Sequence, residues 1–296
     1  MKNLLKNCRL CPRNCGVNRF DGYIGYCGAG KEIKIALASL HQWEEPCISG
    51  TRGSGTVFFS NCSLSCVFCQ NHTISQEGVG YEVSYERLSD IFLDLQEKGA
   101  HNINLVTPTH YVCLIIDAII LAKQKGLTLP ILYNSSGYEN IETLRLLRGY
   151  IDVYLPDMKY FNNKYALRYS GTNDYFYYAS RAVMEMFEQV GELKFDNDGI
   201  VKRGVIIRHL LLPGLLFDSK KIIDFIYESF KDSVYISIMN QYTPMYKASE
   251  FNEINKPLNP SHYNSLINYA ISIGVNNGFI QESGTSSEIF VPDFTS

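Results

Sequence analysis

Residues 53–71 read GSGTVFFSNCSLSCVFCQN. The run Thr56-Val-Phe-Phe59 is β-branched and aromatic, the composition of a buried strand. Cys62, Cys66 and Cys69 follow directly, so three thiols sit on a loop at the carboxyl end of that strand. That edge is where parallel α/β folds place their sites. Soft thiolates favour zinc or an iron–sulfur cluster. Structural zinc takes four protein ligands, and catalytic zinc often takes nitrogen or carboxylate ligands as well. Three thiolates on one loop therefore point to a cluster with one iron left open, and three such closely spaced cysteines are hard to explain by packing.

Further along, short β-type runs alternate with helical patterns, as repeated βα units around a parallel sheet require. The strand candidates are 56–59, 103–106, 131–134, 153–156, 205–211, 234–239 and 278–281, one more than a six-stranded partial barrel needs. Helical segments fall between them at about 84–98, 111–125, 139–148, 175–190, 218–230 and 260–273, with Ser84, Asn140 and Ser219 as capping candidates. Residues 193–204 break the rhythm, and their Asn-Asp-Gly centre predicts a local β-hairpin. Residues 1–50 carry a cysteine group, scattered glycines and little periodic hydrophobicity, which reads as a small metal-held extension; residues 51–296 read as the α/β domain.

The formal net charge of −3 lacks the basic footprint of a nucleic-acid binder, so no polyanionic partner is expected. The longest apolar run, Tyr111 to Ala122, contains Asp117 and is too short to span a bilayer. The amino terminus is basic without the apolar core of a signal peptide, which predicts a cytoplasmic protein with no membrane partner. In a reducing compartment nine cysteines serve metal binding or catalysis better than disulfides. Seven of the nine fall into two groups, Cys62/Cys66/Cys69 and Cys8/Cys11/Cys15/Cys27.

Cys-x3-Cys-x2-Cys with an aromatic, here Phe68, before the last cysteine resembles the motif of the radical S-adenosylmethionine (SAM) superfamily. The wider run from Gly53 resembles the subgroup related to pyruvate formate-lyase activating enzymes, and the resemblance extends from there to the carboxyl terminus. It implies a partial (β/α)6 barrel and a [4Fe-4S] cluster whose open iron binds SAM. It also implies reductive cleavage of SAM to a 5′-deoxyadenosyl radical that abstracts hydrogen from a substrate. A protein or peptide substrate, as for glycyl-radical-enzyme activases, and a flavodoxin- or ferredoxin-type electron donor are the partners it implies.

SAM needs polar partners for its amino, carboxylate, ribose and adenine groups, and a barrel supplies them from successive strand ends. Thr107 and Thr109 follow the second strand candidate, where many superfamily members instead carry a Gly-Gly-Glu run. Asn134 and Ser136 resemble the turn that approaches the ribose in related activases, and Asp157 with Lys159 resembles an Asp-x-Lys element used near SAM. Arg208 and His209 interrupt an otherwise apolar strand, so two polar residues on opposite faces each demand a partner, and Arg208 is placed to fork onto the SAM carboxylate. Asn240, Gln241 and Tyr242 form a further strand end, assigned to the substrate side.

Cys8, Cys11, Cys15 and Cys27 fit either structural zinc or a second [4Fe-4S] cluster, which would supply folding energy to a segment too short for an apolar core. Beside a radical site, an auxiliary cluster is suited to relaying electrons. Residues 1–35 carry seven basic against two acidic side chains, a formal +5 suited to an acidic donor or simply solvated. Two other functions fit parts of the pattern: a non-catalytic two-cluster electron carrier, and a radical SAM enzyme acting on RNA or a small molecule.

Overall fold

The structure, a computed structural model, describes residues 2–281 and Phe294. Seven strands run parallel to their neighbours: β2 (Ser54–Phe59), β4 (Ile103–Val106), β5 (Ile131–Ser135), β6 (Val153–Pro156), β8 (Val201–Leu210), β9 (Tyr235–Met239) and β10 (Gly278–Ile280). Each contains or overlaps one of the seven predicted runs. Two antiparallel strands extend the β2 edge, β1 (Ile33–His41) on β2 and β3 (Tyr81–Val83) on β1. The predicted hairpin forms where β7 (Lys194–Phe195) pairs antiparallel with β8. Among the described residues the sheet runs β10-β9-β8-β6-β5-β4-β2-β1-β3, and its two end strands do not meet. The result is an open, partial α/β barrel.

Alternation along the strands sorts side chains between two environments. Ile131, Tyr133, Tyr154, Val205 and Ile207 join the large core under the helices. Their neighbours Leu132, Val153, Leu155 and Ile206 point the other way and pack with Cys47 and Ile48. These two come from α1 (Pro46–Ser49), a single turn that lies within the barrel. Register puts Phe58, Val106, Asn134 and Leu155 side by side on that inner face.

The helix layer is built from α3 (Tyr85–Glu97), α4 (Val112–Gln124), α5 (Ile141–Leu146), α6 (Asn163–Ser170), α7 (Tyr175–Val190), α8 (Leu216–Phe230) and α9 (Pro260–Ser272), with the short α2 (His72–Ser75) in the cysteine loop. Ser84 caps α3 by accepting from the Arg87 amide, and Leu88, Ile91, Phe92 and Leu95 form its buried stripe. Asn140 stands at the cap position of α5 but sends its amide to the Arg9 carbonyl, 2.8 Å away, and Ser219 lies buried inside α8. Helix α4 is apolar nearly all round because it is covered twice: one face packs into the main core, and Cys113 packs with Leu5, Cys8 and Leu10 of the amino-terminal segment.

Within residues 1–50 the sheet already begins. Residues 33–41 are β1, and residues 46–49 fill the barrel, while the four cysteines precede both. The run IKIALASLH alternates in burial only at its start, which left β1 without a clear sequence signal. No helix among the described residues is long and apolar enough to cross a membrane.

If α1 is part of the core, Ile48→Ala, at a fully buried position, costs about 2–5 kcal/mol. Urea unfolding measures this; a loss below about 1 kcal/mol, the scale of a surface change, would show that residues 46–49 do not pack into the barrel.

Candidate active site

Strand β2 ends at Phe59, and Asn61 turns the chain with φ +75°. Its amide donates to the Ile74 carbonyl (2.8 Å) and its side chain to the Tyr111 hydroxyl (3.1 Å), which closes the cysteine loop at both ends. Across the loop, the Val67 amide bonds the Tyr169 carbonyl at 2.9 Å. Phe68 is buried edge-on against Tyr242, 5.9 Å between centroids, so this aromatic anchors the loop from below.

Each sulfur has a polar neighbour. Cys62 Sγ accepts from the Leu64 amide (3.4 Å), Cys66 Sγ shares a hydrogen bond with Ser170 Oγ (3.0 Å), and Cys69 Sγ shares one with Ser75 Oγ (3.2 Å). Burial, then the neighbouring Cys66, pushes the Cys69 thiol up to about 11, and burial raises Cys62 and Cys66 as well. All nine cysteines are free of disulfides. Thiols this hard to ionise on their own need a metal to become thiolates. Among the described residues no three cysteine, histidine or acidic side chains converge tightly enough for one metal ion. A multi-iron cluster is held by such thiolates, and donors to sulfur of the kind seen here tune it.

The three cysteines line a cavity of about 350 Å³ together with Phe68, Thr107, Asn134, Ser136, Asp157, Lys159 and Arg208. Its wall is the row of strand ends read from the sequence. Gly137, at φ +74°, permits the tight turn after β5, since a Cβ there would lie 2.2 Å from the Asp157 carbonyl oxygen. Lys159 Nζ donates to Asp157 Oδ2 at 2.5 Å. Burial alone would lower the lysine, but Asp157 and then Cys66 hold its pKa well above the usual range, so a fixed cation stands beside the cysteine loop. Gln241 and Gln281 close the far side, joined by an amide hydrogen bond of 3.1 Å.

Three of the expected SAM contacts are engaged elsewhere. Thr109 turns inward on a 3-10 turn and donates to Glu139 Oε1 at 2.6 Å, buried and away from the cavity. His209 faces the helix side of β8 and donates through Nδ1 to the Met158 carbonyl (2.6 Å); burial pushes it down to about 4, so it is neutral. Arg208 does face inward, yet its fork grips Glu45, with Nε to Oε1 at 2.9 Å, and Nη2 contacts both Glu44 and Glu45. Burial would raise Glu45, but the guanidinium holds its carboxyl low. Glu44 also accepts from Asn104 at 2.9 Å. Neither acid was singled out from the sequence, although an acidic pair before Pro46 was the available signal for the anion that Arg208 lacked.

The amino-terminal cysteines lie against this site. Arg13, between Cys11 and Cys15, donates to the carbonyls of Ser63 (2.9 Å) and Gly171 (2.7 Å) and stacks 3.7 Å over Tyr26. Tyr26 in turn shares a hydrogen bond with Ser65. Of the basic side chains read as a docking face, Lys6, Arg9 and Lys31 are exposed, whereas Arg19 is buried.

Two outcomes test this electrostatic layout. Arg208→Met leaves Glu44 and Glu45 as buried carboxylates without their cation, and urea unfolding at pH 8 should show a loss of about 3–5 kcal/mol; a neutral result would mean the trio is solvated. Burial lifts the Glu139 carboxyl from 4.5 to about 7 despite donors from Thr109, Ser135 and Tyr133. The folded state then binds the extra proton between those values, so this group's stabilisation is full below about pH 4.5 and is lost as pH rises through about 7. Wild type should lose stability relative to Glu139→Gln between pH 5 and pH 8, read from urea midpoints, and parallel pH profiles would refute the shift.

Residues 56–226 match the Radical SAM superfamily. The uncharacterized protein MJ0674 of Methanocaldococcus jannaschii is 32% identical over 268 residues, covering 87% of this chain and 72% of that protein. Among solved structures, SuiB of Streptococcus suis bound to its precursor peptide SuiA is similar with a TM-score of 0.54 and 14% identity, over 76% of this chain and 47% of SuiB. SuiB bound to S-adenosylmethionine gives a TM-score of 0.52 at 14% identity, over 77% of this chain and 52% of that one. The chain thus spans about half the length of SuiB, and the likeness is one of fold. With more than half of its residues matched, the cysteine loop at the end of β2 included, the chain belongs to the radical SAM superfamily, a family of radical enzymes that use a [4Fe-4S] cluster and SAM.

Proposed function

We propose that this protein is an activase-like oxidoreductase that cleaves SAM reductively and takes a hydrogen atom from a protein or peptide substrate. The observation that carries the reading is the single cavity in which Cys62, Cys66 and Cys69 face the polar ends of β4, β5, β6 and β9. A cluster and SAM, when bound, supply one electron to the sulfonium and a carbon radical strong enough to abstract hydrogen.

The chain's own residues hold, orient and exclude. Cys62, Cys66 and Cys69 would ligate three irons, while Leu64 NH, Ser170 and Ser75 bond the sulfurs and favour their anionic form. Asp157 and Lys159 offer a paired acceptor and donor to the zwitterionic and ribose ends of SAM, and Thr107, Asn134 and Ser136 add neutral polar groups. Phe58, Phe59, Leu64 and Ile74 supply apolar wall and keep water from a reactive carbon. Arg208 positions the Glu44–Glu45 segment beneath the cavity.

A peptide substrate is supported by the end strands of the sheet not meeting among the described residues, and by the occurrence of a precursor peptide on SuiB, a protein of similar fold. A flavodoxin- or ferredoxin-type donor is supported by the exposed Lys6, Arg9 and Lys31.

Anaerobic reconstitution with iron and sulfide, followed by dithionite and SAM, should yield 5′-deoxyadenosine, and Cys66→Ala should abolish it. SAM should also perturb the electron paramagnetic resonance (EPR) signal of the reduced cluster. A fully loaded protein that gives neither product nor perturbation would instead be an electron carrier.

A further inference from the structure

The amino-terminal cysteines are gathered by backbone turns rather than by a core of their own. Cys8 and Gly16 are tied by the Gly16 amide to the Cys8 carbonyl (2.9 Å), and the Cys8 amide bonds the Val17 carbonyl (3.0 Å). A second turn, from the Gly28 amide to the Gly25 carbonyl (3.1 Å), presents Cys27. Gly25 itself makes room for Cys15, whose Sγ would lie 2.5 Å from a Cβ at that position. Cys8, Cys11 and Cys27 are almost wholly buried.

Arg19 is buried among them, 3% exposed. Nη1 donates to the His110 carbonyl at 2.7 Å and to that of Gly30 at 3.5 Å. Nη2 points at sulfur, 3.0 Å from Cys8 Sγ and 3.8 Å from Cys27 Sγ, and Nε has no hydrogen-bond partner. Among the described residues no carboxylate forms a salt bridge with it. An arginine keeps its proton when buried, so its charge needs a counter-charge close by. The groups in reach are thiols, which are neutral when buried and anionic when a metal binds them.

We propose that Cys8, Cys11, Cys15 and Cys27 hold a second [4Fe-4S] cluster whose negative charge is balanced by the buried guanidinium of Arg19. A cluster spreads its thiolates over four irons and accepts N–H donors at sulfur, the role Arg19 Nη2 fills. The site abuts the other cysteine loop: Arg13 bonds the carbonyl of Ser63, next to Cys62, and Nη2 of Arg13 lies 3.4 Å from the carbonyl of Ser170, whose hydroxyl bonds Cys66. The proposal stands apart from SAM cleavage and concerns only what these four cysteines bind.

The full-length Cys62/Cys66/Cys69→Ala variant, reconstituted anaerobically with ferrous iron and sulfide, should retain about four irons and four sulfides per chain. Its dithionite-reduced EPR signal should ignore added SAM. A variant that holds one zinc and no iron, or no metal, overturns the proposal unless it is misfolded by circular dichroism. In that case the wild-type protein decides. It should bind about eight irons and show two reduced signals, one insensitive to SAM and absent from Cys27→Ser. About four irons with a wholly SAM-sensitive signal overturns the proposal. Arg19→Gln should lower the midpoint potential of the SAM-insensitive signal, because the cation stabilises the reduced, more negative cluster. An unchanged potential removes Arg19 from the role assigned to it.

Discussion

A parallel strand covered on both sides must satisfy two environments with alternate residues, and the architecture of this protein follows from that requirement. On the outward face, Tyr133, Tyr154, Val205 and Ile207 pack into the main core under the helices, the two tyrosine hydroxyls bonded to Glu139 and Gln189. On the inward face the character changes along each strand. Leu132, Val153, Leu155 and Ile206 are apolar where they surround Cys47 and Ile48, and two residues beyond Leu132, Leu155 and Ile206 the side chains of Asn134, Asp157 and Arg208 begin the polar cavity. Packing the lower barrel with α1 leaves the upper half as the open space. The site is thus a consequence of how far the inward side chains fill the barrel.

Polar groups in that interior are held by one another before any ligand arrives. Arg208, Glu44, Glu45 and Asn104 form one bonded set, and Asp157 with Lys159 forms another. A preformed arrangement of this kind loses little freedom on binding, which favours a small charged cofactor. The cysteine loop is fixed in the same manner, by Asn61 at one end and by the contacts of Val67 and Phe68 with residues more than 100 positions away.

The parallel strands were legible because burial on both faces turns them into unbroken apolar runs, and the cysteine loop because its spacing is local. What stayed hidden depended on distance or on weak local signals. Strand β1 is half-buried and its residues alternate only loosely, and α6 is a short polar helix between stronger elements. The demand of Arg208 for a partner could be read, but Glu45 lies 163 residues earlier, and no periodicity links the two. Thr109 was misplaced because a loop after a strand reads as polar and exposed, whereas Thr107, at φ +60°, and the following 3-10 turn rotate it into the core beside Glu139.

Arg13 reaches the carbonyl of Gly171, 158 residues ahead of it in the chain, and Arg19 waits for His110. During synthesis this segment leaves the ribosome before the residues on which it docks. At about 5–20 residues per second, roughly 8–30 s separate the appearance of Arg13 from that of its anchor. Through that interval Cys8, Cys11, Cys15 and Cys27 belong to an unfolded, accessible peptide. The order of translation thus gives the cell a window in which these thiols can be loaded or lost, and it closes when α4 and α6 are in place.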